Sequence, residues 1–216
     1  MTAVTVLMEL DGGRTVDGQL TIKLRANLAK ELKRLESHAA VPMASQATPD
    51  MRTERAMLLI QLNRLDEAAA ILKPLANGRN TATLLLATVY QDQPRWDESA
   101  AAFRSVLEVA WDPAATSEAA RHAARVAFEG LLHNAKESRR RGDVEFWLKW
   151  GLEHFPDRAA EFEFQLGQHF ANAGLPGQAM EHFDRAKQLD PSVFGRRSRQ
   201  EIDRLRTHTP ACLLGR

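Results

Sequence analysis

The sequence predicts an all-α chain, a solenoid of helix-turn-helix repeats closed by a C-terminal capping helix. Three observations carry the expectation. From about residue 50 onward, apolar residues recur at helical spacings of three and four instead of alternating. Helix breakers punctuate these runs at short intervals. A pattern of small and large apolar residues also returns with a period near ~34 residues, the mark of a stacked repeat.

Composition agrees with a folded chain. Of 216 residues, 44% are hydrophobic and 26% charged, as in ordinary globular proteins. A formal net charge of +1 gives no overall attraction to nucleic acid or to an anionic membrane. No run approaches the ~18 uninterrupted apolar residues of a membrane span. Met1 to Leu10 lacks the basic start and apolar core of a secretory signal, and Glu9 interrupts it. The single cysteine, Cys212, has no internal partner for a disulfide. Together these favour a reducing, cytoplasmic setting.

Residues 1–49 stand outside the repeat. Val4-Thr5-Val6-Leu7, then the turn signal Asp11-Gly12-Gly13, reads either as a small hairpin or as a disordered leader. Leu24, Leu28, Leu32 and Leu35 then share one helical face, decorated by Lys23, Arg25, Lys30, Lys33 and Arg34. His38 to Pro49, rich in Ala, Ser and Pro, reads as a linker.

Beyond it, each break has a chemical reason. Asn63 and Asn77-Gly78 tolerate the left-handed backbone that ends helices. Asp92-Gln93-Pro94 interrupts the next run, and Asp112-Pro113 looks like an N-cap followed by proline at the first helical position. Gly142 and Gly174 mark turns, while Pro156 and Pro191 end the helices before them. Roughly eight helices fit between these marks, with one more at about 192–207 and a tail at 208–216.

The repeat is clearest in Leu166-Gly167, Phe170, Ala179, Phe183, Ala186 and Pro191. A second copy reads Leu86-Ala87, Tyr90, Ser99, Phe103, and a third Ala56, Leu59, Ala68, Leu72. The unit at about 116–156 departs most: its first helix runs long, up to Arg141, and Trp147 falls where a small residue is expected. The pattern resembles the tetratricopeptide repeat (TPR). That resemblance implies about four helical hairpins over 50–191, the third degenerate, and a solvating helix at 192–207. Gly167 and Ala179 would then face each other where two helices approach most closely, with Phe170 and Phe183 filling the space beside them.

Residues able to carry catalysis are few. Seven histidines are scattered, without a His-Glu-x-x-His motif, a cysteine cluster, a nucleophile elbow or a phosphate-binding glycine loop. The sequence therefore points to no enzyme, no cofactor and no metal. His169 and His182 lie on neighbouring helices and read as surface or groove residues in preference to ligands. Trp96, Ala100, Phe103 and Leu107 form a core stripe, and Trp147 and Trp150 share a face. Arg139-Arg140-Arg141 reads as the positive end of a helix. Arg196, Arg197, Arg199, Arg204 and Arg206 make the terminal helix basic.

By the resemblance, the first helix of each hairpin lines a concave groove. The groove positions would be Thr53, Met57, Ile60 and Gln61, then Leu84, Thr88 and Gln91, then Phe164, Gln168 and Asn172. Thr53, Met57, Leu84 and Thr88 do not supply the Lys/Arg/Asn clamp by which some relatives hold a C-terminal carboxylate. The expected function is a protein-interaction scaffold or adaptor for a peptide or partner protein, an assembly or secretion chaperone being one such form. The alternative is a basic adaptor that meets nucleic acid or an anionic surface through its terminal helices. Homo-oligomerisation through repeat faces or the N-terminal leucine stripe is a further option.

Overall fold

The computed structural model describes residues 27–34, 49–77, 81–111 and 117–208. Residues 27–34 are helical (α1). There follow α2 (Pro49–Gln61), α3 (Leu65–Leu72), α4 (Thr81–Asp92), α5 (Trp96–Ala110), α6 (Glu118–Glu137) and α7 (Arg141–His154). A short 3-10 turn at Pro156–Arg158 leads into α8 (Ala159–Asn172), α9 (Pro176–Leu189) and α10 (Pro191–His208). The expected hairpin at 1–21, the linker from His38, Gly78, Asp112-Pro113 and the tail from residue 209 lie outside the described residues. Every described element is helical, and consecutive helices pack on one another: α2 on α3, α4 on α5, α8 on α9 and α9 on α10. None is long and apolar enough to cross a membrane.

The chain divides into two compact units, Met1–Asn134 and Ala135–Arg216. In the first, Leu59, Leu72, Leu86 and Val89 form a buried cluster with Ala56, Ala68 and Ala82. Leu32 of α1 belongs to that cluster and is 2% exposed. Of the described leucines ahead of residue 50, Leu32 is thus part of the core, where a leucine so buried contributes about 1.5–3 kcal/mol.

Four turns share one hydrogen-bond pattern. The N–H groups of Arg64, Arg95, Arg140 and Leu175 donate to the carbonyls of Leu59, Tyr90, Ala135 and Phe170 at 2.8, 2.8, 3.0 and 2.9 Å. This bond, from three residues beyond the helix to its last turn, satisfies carbonyls that would otherwise lack a partner. It requires a left-handed residue between, supplied by Asn63 (φ 60°), Arg139 (φ 56°) and Gly174 (φ 76°); Pro94 holds the same place in the second turn. Immediately afterwards Ala68, Ser99, Val144 and Ala179 donate back to Arg64, Arg95, Arg140 and Leu175, starting the next helix.

These bonds align the four turns without reference to sequence. The small position of each second helix is Ala68, Ser99, Val144 or Ala179, and one turn later stand Leu72, Phe103, Leu148 and Phe183, all 2% exposed or less. One turn before the accepting carbonyls lie Ala56, Ala87, Leu132 and Gly167. In the third turn the position equivalent to Ala68, Ser99 and Ala179 is therefore Val144, not Trp147. Trp147 is buried beside it, edge-on to Phe146 at 5.0 Å and to Trp150 at 6.0 Å. The helix α6 stops at Glu137, short of the arginines, and Gly142 lies in the first turn of α7. The arginine run forms the turn that closes α6 and the start of the next helix, its first two members just past the C-terminal carbonyls of α6.

Close packing explains two glycines. A Cβ at Gly167 would lie 2.6 Å from the Phe183 ring, so the residue that needs Gly167 small is Phe183. A Cβ at Gly130 of α6 would lie 2.4 Å from Phe103. Both aromatic rings are seated where the neighbouring helix has no side chain.

The helix α10 is capped by Asp190, whose carboxylate accepts from the N–H groups of Ser192 (3.0 Å) and Val193 (3.1 Å) and from the Ser192 hydroxyl (2.6 Å). Pro191 takes the first helical position. The Ser192 hydroxyl and these backbone donors hold the Asp190 carboxyl below its ordinary value of 3.8. A depressed carboxylate stabilises the fold above its unfolded value and loses that contribution as pH falls through the folded one. Asp190→Ala is expected to lower Tm at pH 7, with the difference from wild type shrinking below about pH 4; thermal denaturation followed by circular dichroism from pH 7 to 2.5 checks it.

Candidate functional site

In the first unit the residues expected to line a groove have unequal fates. Thr53, Met57, Gln61, Leu84 and Thr88 are half-buried. Ile60 is 6% exposed and belongs to the core cluster, so it does not face an open wall. The Thr88 hydroxyl donates to the Leu84 carbonyl at 3.0 Å, a bond within its own helix. Gln91 is bound inside the fold. Its amide donates to the Gly130 carbonyl (3.1 Å) and to Asn134 Oδ1 (2.7 Å), and Asn134 in turn donates to Ser99 Oγ at 2.9 Å.

Ser99 completes that network by donating to the Ala87 carbonyl at 2.8 Å. Buried polar groups are stable only when so partnered. Serine at the small position therefore does more than avoid a clash: it links α4, α5 and α6. Sequence reading misses Asn134, since an asparagine in a helix carries no signal of a partner on another helix.

In the second unit the three expected residues separate. The Phe164 ring packs against Phe183 (5.2 Å) and Phe194 (5.3 Å). It walls a cleft of about 670 Å³ between the start of α8 and the start of α10, shared with Leu189, Val193, Arg158 and Arg197. Leu189 and Val193 are 56% and 50% exposed there. Gln168 and Asn172 open on a different cleft, of about 630 Å³, formed by the end of α6, the turn after it, α7 and α8. Its cations are Lys136, Arg139 and Arg141. Gln165 and His169 complete its polar wall, Val144 and Leu148 its apolar one, and no carboxylate lines it among the described residues.

The cleft's electrostatics follow from its neighbours. Lys136 Nζ donates to Gln165 Oε1 at 2.7 Å, leaving it further donors. Partial burial pulls its ammonium below the ordinary value, opposed by Glu161. Glu161 itself is held by Arg158 at 2.9 Å and receives Gln165 Nε2 at 2.9 Å. Burial also pulls His169 down, Glu145 opposing and Arg141 reinforcing, which favours the neutral ring near pH 7. Glu145 is engaged by Lys149 at 2.6 Å. Both of these acids are thus turned to other cations.

A third constellation lies between α8 and α9. His182 Nδ1 and Glu163 Oε2 are 2.6 Å apart, with side chains 13% and 10% exposed. The His182 ring stacks on Phe170 at 5.1 Å, and His169 meets the same ring edge-on at 5.4 Å. Both expected histidines contact Phe170, and His182 pairs with a carboxylate that the sequence alone does not single out. A glutamate flanked by Phe162 and Phe164 in a helix is the available clue.

Fold and site together define an all-helical protein of consecutively packed helices with polar and apolar clefts in its second unit. No protein-family model matches the chain, and no curated protein matches it.

Proposed function

We propose that this chain is a non-catalytic interaction scaffold or adaptor of TPR type, working in the cytoplasm and holding a peptide or partner protein on surfaces lined by the first helices of its hairpins. The observation that supports this most is the recurrence of one turn in four places, each followed after the same number of residues by a buried Leu or Phe. Repetition of this kind stacks units with little internal chemistry and leaves elongated surfaces for recognition. Exposed amides on α8 beside a cleft suit such use, since Gln and Asn offer a peptide backbone both donors and acceptors.

The test is affinity capture from native lysate with wild type and with Gln168→Trp/Asn172→Trp. These two positions are exposed, whereas Phe164 supports Phe183 and Phe194 and is unsuited to the purpose. Stoichiometric partners retained by wild type and lost by the variant are expected. Identical captures by both would sink the α8 surface as the binding face. A second reading rests on α10, where Arg196, Arg197 and Arg206 are exposed. Binding there to an anionic polymer would weaken steeply with salt, and binding at the α8 face less so.

A further inference from the structure

Resting on that reading, we propose that the cleft between the α6–α7 turn and α8 holds a carboxylate of an acidic peptide segment, paired with Lys136, Arg139 and Arg141. The cleft brings three cations together and, among the described residues, contains no acid. Like charges so placed repel one another, which an arriving anion relieves. Neither Arg139 nor Arg141 has a carboxylate partner among the described residues, and Glu161 and Glu145, the acids whose charge bears on Lys136 and His169, are held by Arg158 and Lys149. Guanidinium groups match a carboxylate with two parallel hydrogen bonds. The apolar wall of Val144 and Leu148, 7% and 0% exposed, excludes water from one side and strengthens the pairing.

A peptide is favoured over nucleic acid by what surrounds the cations. Gln168 and Asn172 present exposed amides on one face of α8, matched to the N–H and C=O groups of an extended chain. No aromatic side chain among the described residues of the cleft lies open for base stacking, the His169 ring being set against Phe170. Sequence alone places these cations at a helix end. The turn at Arg139, with φ of 56°, brings them beside α8.

The probes are three short peptides titrated calorimetrically into the full chain. The first is acetyl-Gly-Asp-Leu-Glu-Gly-amide. The second is its Asn/Gln counterpart with an amide end, and the third that counterpart with a free C-terminal carboxylate. Binding of the first or third at least about tenfold tighter than the second is expected, and which of them binds identifies the source as side chain or chain end. Arg139→Asn, which keeps the left-handed turn, and Arg141→Gln are each expected to weaken the carboxylate probe about tenfold. Circular dichroism of both variants should match wild type, because both side chains are exposed. Equal affinity for all three peptides, or unchanged affinity in both variants, overturns the assignment. Displacement of the probe by equimolar inorganic phosphate also overturns it, since the cleft would then select phosphate. A failed peptide titration alongside capture lost in Gln168→Trp/Asn172→Trp would sink the carboxylate assignment and leave the scaffold reading standing.

Discussion

Gly167→Leu is expected to be the most damaging single substitution in the second unit. Even an alanine places its Cβ 2.6 Å from two atoms of the Phe183 ring. That ring is fully buried and backed by Phe164 at 5.2 Å, so it has little room to retreat. Overpacking costs about 1–3 kcal/mol, while replacing a helical glycine by alanine returns up to about 1 kcal/mol of propensity. Gly167→Ala is therefore expected to destabilise by about 1–2 kcal/mol on balance. Leucine brings further atoms into the same space and should exceed about 3 kcal/mol, a large share of the stability of a small unit. Urea denaturation of the purified variants measures both. Gly167→Ala with Phe183→Leu should recover part of the loss, because the smaller side chain vacates the clashing volume. Additive costs in that double variant would contradict the packing account.

His182→Ala is the second substitution with a large expected effect. It strands Glu163, which is 7% exposed, without the imidazole now 2.6 Å away. Leaving a buried carboxylate without its hydrogen-bond partner costs about 2–3 kcal/mol, beyond the loss of one exposed hydrogen bond. His182 also stacks on Phe170, so the truncation removes packing as well. Glu163→Gln keeps an acceptor for the ring and is expected to cost about 1 kcal/mol or less. Glu163→Leu with His182→Leu removes both polar groups and should be far milder than His182→Ala alone. Chemical denaturation of the three variants decides the matter. If His182→Ala and the double leucine variant were equally unstable, the stability would come mainly from packing on Phe170 and not from the hydrogen bond to Glu163.

Much of the fold is legible in the sequence because helices advertise themselves locally. Leu59, Leu72, Phe103, Leu166 and Phe183 recur at helical spacing, and all are among the fully or almost fully buried side chains. Asn63 and Gly174 mark their turns through a backbone preference that each residue carries with it. The third turn reads out of place because Arg139 adopts a left-handed conformation that nothing in an arginine announces. A glycine nearby, Gly142, draws the expected turn toward itself. Leu32 is visible as part of a leucine stripe, but its place in the core depends on helices that follow it in the chain.

The expected groove fares differently, and for one reason. Helical period assigns a residue to a face, but it does not say what lies opposite. Ile60, Gln91 and Phe164 sit at positions of the right period, yet Ile60 is core, Gln91 is bound to Gly130 and Asn134, and Phe164 packs between two other phenylalanines. Arg139 and Arg141 read in the sequence as a helix end, and with Lys136 they share a cleft with Gln168 and Asn172.

By itself, then, the sequence determined the helices, their order and the small residues where they approach, all properties set within a turn or two of the chain. Only the tertiary structure decided which polar groups are consumed inside the fold and which cations meet across a cleft. Those depend on register between helices far apart in sequence. In that register a hydrogen bond or a shift of one helical step redirects a whole side chain.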